Sequence, residues 1–309
     1  MSVFCKSARD EARAVGSAAV MVCMATGTLW ASAVQAETCQ LRIDGPPPSV
    51  RVEYDPFVPA TAPARMRFRL ANRTDQDCSI DLALTEQPGI PSLRPVIAPT
   101  GLMLEIRPTG QLGRASLQDV FHISVPAAQA VEVQMDVVVL NDAVVQSGDY
   151  SHNLTLELRE PGQVAAYDQA PVVLTLKSLP RAQMNLSGAR GDFGAGSSVS
   201  VVDFGEAETG KTRKVFIQTR ANNEARLTFR SANQGRLLRV GDGVGGTSLA
   251  YEAALEGDVL NLTAIATRDI DPPRTYAGQT FELLLKLGQV NGAQAGDYSD
   301  ELTIEISTL

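Results

Sequence analysis

The sequence predicts an all-β protein with two related β-sandwich domains. A Gly-Asp-Tyr-Ser tetrapeptide at residues 148–151 recurs at residues 296–299, 148 residues later. Each copy opens a run of alternating apolar and polar residues, the pattern of a strand with one buried face. Short runs of this kind, separated by proline and glycine and with almost no helical period, are typical of a sandwich.

The repeated unit is longer than the tetrapeptide. A second alternating run precedes each copy, at residues 131–139 and 279–287. We therefore predict a hairpin-like unit that occurs twice, in two related domains. The apolar residues just after the two tetrapeptides are Leu154, Leu156 and Leu158 in the first copy and Leu302, Ile304 and Ile306 in the second.

The two copies differ in the length of chain on their C-terminal side. After the first copy the chain continues into an apolar run at residues 172–176, and Pro180 then marks a boundary. After the second copy the chain ends three residues beyond Ile306. We therefore predict domains at residues 37–178 and 180–309, of which the second lacks its final strand.

The first 36 residues have the pattern of a secretory signal peptide. Three basic residues precede an apolar run at residues 14–33, and Val34 and Ala36 supply the small residues of a cleavage site. Glycine and threonine dilute the run too much for a transmembrane anchor. We expect an exported protein, periplasmic in transit and then on the cell surface.

Cleavage would leave two cysteines, Cys39 and Cys78. In an oxidising compartment this even count predicts a disulfide, closing a loop that contributes up to roughly 4 kcal/mol by restricting the unfolded chain. Loss of the leader's three basic and two acidic residues changes the formal net charge from −8 to −9. Such an acidic protein is not expected to bind nucleic acid or anionic membranes.

Nothing in the sequence predicts an enzyme, a metal site or a cofactor. The two histidines, His122 and His152, lie in no recognisable nucleophile or metal-ligand context. A G-x-G-x-x-G match at residues 241–246 lacks the buried strand and following helix of a dinucleotide site, which favours a flexible loop. Arginines 65, 67 and 69 alternate with apolar residues, which favours a solvated strand face over a binding site.

Four segments of the second domain together resemble a known family. They are residues 203–205 (Asp-Phe-Gly), residues 249–251 (Leu-Ala-Tyr) after a glycine-rich loop, residues 295–300 around the tetrapeptide, and the terminal strand at residues 302–306. Their order is similar to that of spore coat protein U-like domains, the pilin modules of archaic chaperone–usher pili. The second domain departs from them by lacking a cysteine pair.

The resemblance implies an incomplete immunoglobulin-like pilin domain. Its missing strand would come from the N-terminal extension of a neighbouring pilin, after a periplasmic pilus chaperone had filled the same groove and an outer-membrane usher had assembled the fibre. An open sheet edge beside an apolar groove accepts a foreign strand in this way. The donor-strand groove is then expected along Leu302, Ile304 and Ile306.

The predicted position in such a fibre is the tip. The mature chain would begin only two residues before Cys39, too few for an arm that fills a neighbour's groove. The resemblance then implies a two-domain tip adhesin, and we predict a surface-binding loop at Ile90 and Leu93, unless these residues pack into the core. The alternatives are a structural surface or coat fibre subunit without specific binding, and a periplasmic binding module.

Overall fold

The computed structural model describes residues 39–58, 62–186, 193, 199–241 and 246–309. These residues form 22 strands and no helix, which confirms the all-β prediction. No helix in this part of the chain could therefore span a membrane. The predicted signal peptide and most of the G-x-G-x-x-G match lie outside the described residues.

The strands form two sets, which we call the N-terminal half (residues 39–178) and the C-terminal half (residues 182–309). The strands of the N-terminal half are β1 Leu41–Asp44, β2 Ser49–Tyr54, β3 Ala64–Asn72, β4 Cys78–Gln87, β5 Ile90–Pro91, β6 Val96–Ile97, β7 Leu102–Thr109, β8 Gly113–Arg114, β9 Val120–Val125, β10 Ala130–Val139, β11 Gly148–Arg159 and β12 Ala166–Ser178. Those of the C-terminal half are β13 Ala182–Leu186, β14 Thr212–Ala221, β15 Ala225–Ser231, β16 Arg236–Arg239, β17 Ser248–Leu255, β18 Asp258–Leu260, β19 Ala266–Ile270, β20 Gln279–Leu287, β21 Tyr298–Ser299 and β22 Leu302–Thr308.

The N-terminal half is a complete sandwich. One sheet has the order β1-β3-β10-β7-β6, and the other has the order β2-β12-β11-β4-β9-β8, with β5 paired to β4. Alternating side chains of both sheets meet in one apolar core, to which β10 contributes Met135 and β11 contributes Leu156, both fully buried. The period-two alternation read from the sequence thus produces the two buried faces.

The C-terminal half repeats this plan with fewer strands. One sheet has the order β13-β14-β20-β17-β16-β21, with β18 paired to β17, and the other contains only β19-β15-β22. It has its own apolar core, and no strand pairing among the described residues joins it to the N-terminal half. In the part of the chain that the structure describes, its smaller sheet contains no counterpart of β12.

The hairpin-like unit predicted from the repeat is wrong. Strand β10 pairs with β3 and β7, whereas β11 pairs with β4 and β12 in the opposite sheet. Strands β20 and β22 are separated in the same way. The connection after each upstream strand instead crosses between the sheets. The prediction failed because alternation indicates which face of a strand is buried but not which strand lies beside it.

The repeated tetrapeptide forms the same corner twice. Gly148 and Gly296 have φ values of 146° and 150°, a conformation that side chains resist. The Tyr150 hydroxyl donates a hydrogen bond to the Gln146 carbonyl at 2.9 Å, and Tyr298 donates to the carbonyl of residue 294 at 2.8 Å. Each tyrosine thereby fixes the turn that leads into its strand.

The structure contains the predicted disulfide. Cys39 and Cys78 are bonded, with a Cα–Cα distance of 5.5 Å. Cys78 is the first residue of β4, so the bond ties the segment before β1, in one sheet, to a strand of the other sheet.

Asn222 joins the two halves through hydrogen bonds. Its side-chain amide donates to the carbonyls of Val145 and Leu179 at 2.9 and 2.8 Å, and its oxygen accepts from the backbone N–H of Arg181 at 2.7 Å. Asn222 is fully buried, and Arg181 also forms an ion pair with Asp55. Residues 39–309 therefore form one compact unit.

An arginine held between two aromatic rings supports this junction. The Arg220 guanidinium lies 4.7 Å from the ring centroid of Phe57 and 4.6 Å from that of Phe193. Phe57 belongs to the N-terminal half and also meets the Tyr276 ring edge-on at 6.4 Å. Such cation–π and aromatic contacts stabilise the junction beside the buried asparagine.

Candidate strand-binding groove

One edge of β22 has no partner strand among the described residues. Strand β22 pairs antiparallel with β15 from residues 302 to 308, and no other described strand is hydrogen-bonded to it. Its counterpart β11 is paired on both edges, with β4 on one side and with β12 on the other. The strand after the first tetrapeptide is therefore central, whereas the strand after the second is at the edge of its sheet.

The side chains on the inner face differ accordingly. The apolar residues of β11 are at most 3% exposed, whereas their counterparts in β22 are only partly buried. Three side chains of β12, Val172, Leu174 and Leu176, are fully buried in the N-terminal core. Among its described residues, the C-terminal half has no strand that supplies equivalent side chains, so part of its core faces outward.

A cavity of about 1700 Å³ lies at this unpaired edge. We call it the groove. One side is formed by β22 with Leu302, Ile304 and Ile306, and Met184 of β13 lines it as well. Residues 199–205, which connect toward β14, also line the cavity. The three predicted groove residues thus line one partly apolar cavity.

Sequence reasoning did not assign Asp203 and Phe204 to the groove, although they line the same cavity as β22. Phe204 packs partly buried against the C-terminal core, and Arg213 holds its segment in place. The Arg213 side chain donates to the carbonyls of Asp203 and Phe204 at 2.8 and 3.1 Å, and its guanidinium lies 6.0 Å from the Phe204 ring centroid. The Asp-Phe-Gly match at residues 203–205 was the available signal.

A polar network fixes the chain just before β22. The Asp300 carboxylate accepts hydrogen bonds from the Tyr251 hydroxyl and the Ser231 hydroxyl, each at 2.6 Å, and from the Asn233 backbone N–H at 2.9 Å. Burial raises the pKa of the Tyr251 hydroxyl, and the bond to Asp300 raises it further. The network therefore positions β22 with a protonated tyrosine at neutral pH.

The two residues of the predicted surface-binding loop differ in exposure. Ile90 is 61% exposed, whereas Leu93 is partly buried and packs against the N-terminal core. Val164, which is 58% exposed, contacts the same turn, since its Cγ1 lies 3.6 Å from the position a Cβ would take at Gly89. Ile90 and Val164 are thus exposed apolar residues of this turn and its neighbour, whereas Leu93 is partly buried.

The arginine row of β3 lies on a charged sheet face. Each of its arginines has an acidic neighbour: Arg65 with Asp136, Arg67 with Glu132 and Arg69 with Asp44, at N–O distances of 3.3, 3.9 and 3.9 Å. His122 likewise contacts the buried Asp81 at 3.0 Å. The described residues contain no group of three or more histidine, cysteine or acidic side chains placed to hold a metal ion.

No protein-family model matches the chain, and no curated protein matches it. Solved structures match it at low identity. One is the chaperone–tip adhesion subunit complex CsuC–CsuE of Acinetobacter baumannii Csu pili, with 12% identity, 86% of this chain and 99% of that chain covered, and a TM-score of 0.47. A second is the adhesive subunit CfaE of Escherichia coli CFA/I fimbria, with 14% identity, 85% of this chain and 93% of that chain covered, and a TM-score of 0.40. A third is the CupB6 tip adhesin of Pseudomonas aeruginosa, with 12% identity, 86% of this chain and 92% of that chain covered, and a TM-score of 0.34.

Proposed function

We propose that the chain is an exported pilus subunit whose C-terminal half is completed by an extended strand from another polypeptide. The observation that carries the proposal is the unpaired edge of β22 beside an open, partly apolar groove. In the N-terminal half the same edge of the repeated strand is occupied by β12. The chain thus contains both the complete and the incomplete version of one sandwich.

Burial of apolar surface favours a strand in this position. Each aliphatic side chain of β12 that is removed from water contributes about 1.5–3 kcal/mol, so three of them contribute roughly 5–9 kcal/mol. The C-terminal half lacks this contribution until a strand of similar pattern binds. An exposed sheet edge is also prone to unspecific pairing, which favours early protection by a periplasmic chaperone and transfer at an outer-membrane usher.

Within such a fibre we assign the chain to the tip, as an adhesin. The N-terminal half already contains β12 and so has no need of a foreign strand, which frees its end loops for binding. The exposed Ile90 is the predicted contact residue, and Val164 beside it extends the apolar surface. This role is supported by the complete first sandwich, the incomplete second one, and the resemblance of the C-terminal signature to archaic pilins.

The proposal is tested by adding a strand to the purified mature chain. The probe is a synthetic peptide with the sequence of residues 166–178, which is β12 itself. At a peptide concentration one hundred times the dissociation constant, we expect a stabilisation of about 2.7 kcal/mol, seen as a higher melting temperature. Amide exchange at residues 302–308 should slow at the same time.

Two controls define the site. A peptide with serine at the three inward aliphatic positions should not bind, because it removes the buried surface. Ile304→Asp in the protein should abolish binding of the original peptide, since a charge would then lie within the groove. If the original peptide leaves both the melting temperature and the exchange of β22 unchanged, the strand-acceptor function is wrong.

A further inference from the structure

The arginine row of β3 belongs to a larger group of exposed guanidinium groups on one sheet of the N-terminal half. Arg65, Arg67 and Arg69 point outward at alternate positions of β3, about 7 Å apart. Arg107 of β7 lies two strands away, and the register places Asp136 of β10 between Arg65 and Arg107. We call the outer surface of β3, β10 and β7 around these four arginines the arginine face.

The arginines of this face are more exposed than the carboxylates beside them. All four arginine side chains are more than half exposed, whereas those of Asp136 and Glu105 are 25% and 17% exposed. Glu105 is shared by Arg107 and Arg94, so the five ion pairs of the face hold five arginines but four carboxylates. The face therefore presents cationic groups to solvent, although the chain as a whole carries a net charge of −8.

The acidic neighbours contact the four arginines through one side of the guanidinium group. In each arginine the nitrogen nearest a carboxylate oxygen is Nε, at 3.3 Å in Arg65, 2.5 Å in Arg107 and 3.9 Å in Arg67 and Arg69. Within the described part of the chain, the terminal nitrogens of these four side chains donate no hydrogen bond. The Nη pair at the end of each guanidinium is thus open to an anion, which it can bind with two parallel hydrogen bonds.

We propose that the arginine face binds an acidic polysaccharide through its uronate carboxylates. The four guanidinium ends are spread over roughly 14 by 10 Å of an open sheet, which suits anions repeated along an extended polymer rather than one small anion. Each carboxylate of the polymer would accept from an Nη pair while Nε keeps its acidic neighbour. The site is independent of the strand-acceptor function, because the groove lies in the C-terminal half.

The acidic groups of the face favour a sugar polymer over a polyphosphate. Glu132 and Asp44 are 56% and 44% exposed, and they can accept hydrogen bonds from sugar hydroxyls. An acidic polysaccharide carries both carboxylates for the arginines and hydroxyls for these carboxylates. Duplex DNA carries about one negative charge per 1.7 Å of its axis, so it would also bring phosphates against the acidic side chains. Nucleic acid is therefore the disfavoured partner.

Binding of polygalacturonate, a polymer of uronic acid, to the full mature chain tests the inference by biolayer interferometry. We expect binding at low salt that weakens as the ionic strength rises, because the charges of the face are exposed. Dextran, a neutral polysaccharide, should not bind, and duplex DNA should bind more weakly than polygalacturonate. Absence of polygalacturonate binding at low salt, equal binding of dextran, or tighter binding of DNA would each overturn the proposal.

Two double variants with the same change in net charge locate the site. Arg67→Gln/Arg69→Gln removes two open guanidinium ends and should raise the dissociation constant for polygalacturonate about tenfold. Arg51→Gln/Arg226→Gln is the matched control, because these arginines lie outside the face and each already donates from a terminal nitrogen to an acidic side chain. The control should change the constant less than twofold. All four side chains are exposed, so the melting temperatures should stay unchanged. Equal effects of the two variants would show that binding follows net charge alone and would overturn the proposed site.

Discussion

Leu156 and Ile304 occupy the same position of the repeated strand, but only Leu156 has neighbours on both edges. Leu156 is fully buried and pairs with Leu84 of β4 and Ala170 of β12. Ile304 pairs with Phe229 of β15 and faces the open groove on its other edge. One sequence position is therefore a core residue in one half and a groove residue in the other.

Alanine at these two positions should accordingly have unequal effects. Leu156→Ala removes a buried side chain from a packed core, and should lower the free energy of unfolding by about 2–5 kcal/mol. Ile304→Ala in the free protein should lower it by less, because the side chain is already partly exposed. Urea denaturation checks this, and the cost of Ile304→Ala should increase once the β12 peptide fills the groove. Equal costs without peptide would show that Ile304 is covered.

The two halves should differ when they are expressed separately. Residues 37–178 contain a complete sandwich and should fold with a cooperative thermal transition. In residues 180–309 no described strand pairs with the open edge of β22, so this half should unfold at low temperature or aggregate. Deletion of residues 171–177 from the N-terminal half should produce the same behaviour. A stable, monomeric C-terminal half with a cooperative melt at high temperature would contradict the missing strand.

Many strands of the fold could be predicted from the sequence, because apolar and polar residues alternate wherever a strand has one buried face. For example, Leu156 and Ile304 each alternate with polar neighbours, and this alternation predicts strands β11 and β22. Which strands pair was not predictable in this way, since the pairing of β10 with β3 and β7 depends on contacts between distant residues. The predicted hairpin-like unit failed for this reason.

The candidate site was predictable on one side only. Leu302, Ile304 and Ile306 share one strand, so their alternation places them on one face. Phe204 lies about one hundred residues earlier in the chain and reaches the same cavity only through the fold.

The disulfide should be formed in the exported protein and should contribute to its stability. Alkylation followed by intact-mass measurement should find no free thiol in the mature chain before reduction, because Cys39 and Cys78 are bonded. The double variant Cys39→Ser/Cys78→Ser should be less stable by up to about 4 kcal/mol, since the unfolded chain gains freedom. Two alkylated cysteines without reductant would refute the bond.

Asn222 should be required for the junction between the halves. Asn222→Ala leaves the carbonyls of Val145 and Leu179 and the N–H of Arg181 without this buried partner, which costs about 1–3 kcal/mol for each group that stays unsatisfied. Limited proteolysis should then cleave near residues 179–181 faster than in the unaltered protein. Asn223→Ala is the matched control, because the Asn223 side chain is adjacent in sequence but more exposed than that of Asn222. This variant should leave the cleavage rate unchanged.

Because of Tyr167, the free energy of unfolding of the N-terminal half should fall at high pH. Its hydroxyl is buried and has no hydrogen-bond partner among the described residues, and burial raises its pKa to about 12. The folded pKa exceeds the value near 10 of an unfolded chain, so the contribution of the neutral phenol is fully present below pH 10. It is lost as pH rises from 10 through 12, where the unfolded state ionises more readily.

Tyr167→Phe isolates this effect from other tyrosines. Tyr54 and Tyr276 also have raised pKa values, so the informative quantity is the difference in unfolding free energy between the variant and the unaltered protein. At pH 7 the variant should be equally or more stable, because phenylalanine keeps the packing and removes an unsatisfied polar group. Above pH 10 its advantage should grow, because it has no phenol to ionise on unfolding. A variant that is less stable at pH 7 would mean that the hydroxyl has a partner, and an advantage that does not grow up to pH 12 would mean that its pKa is not raised by burial.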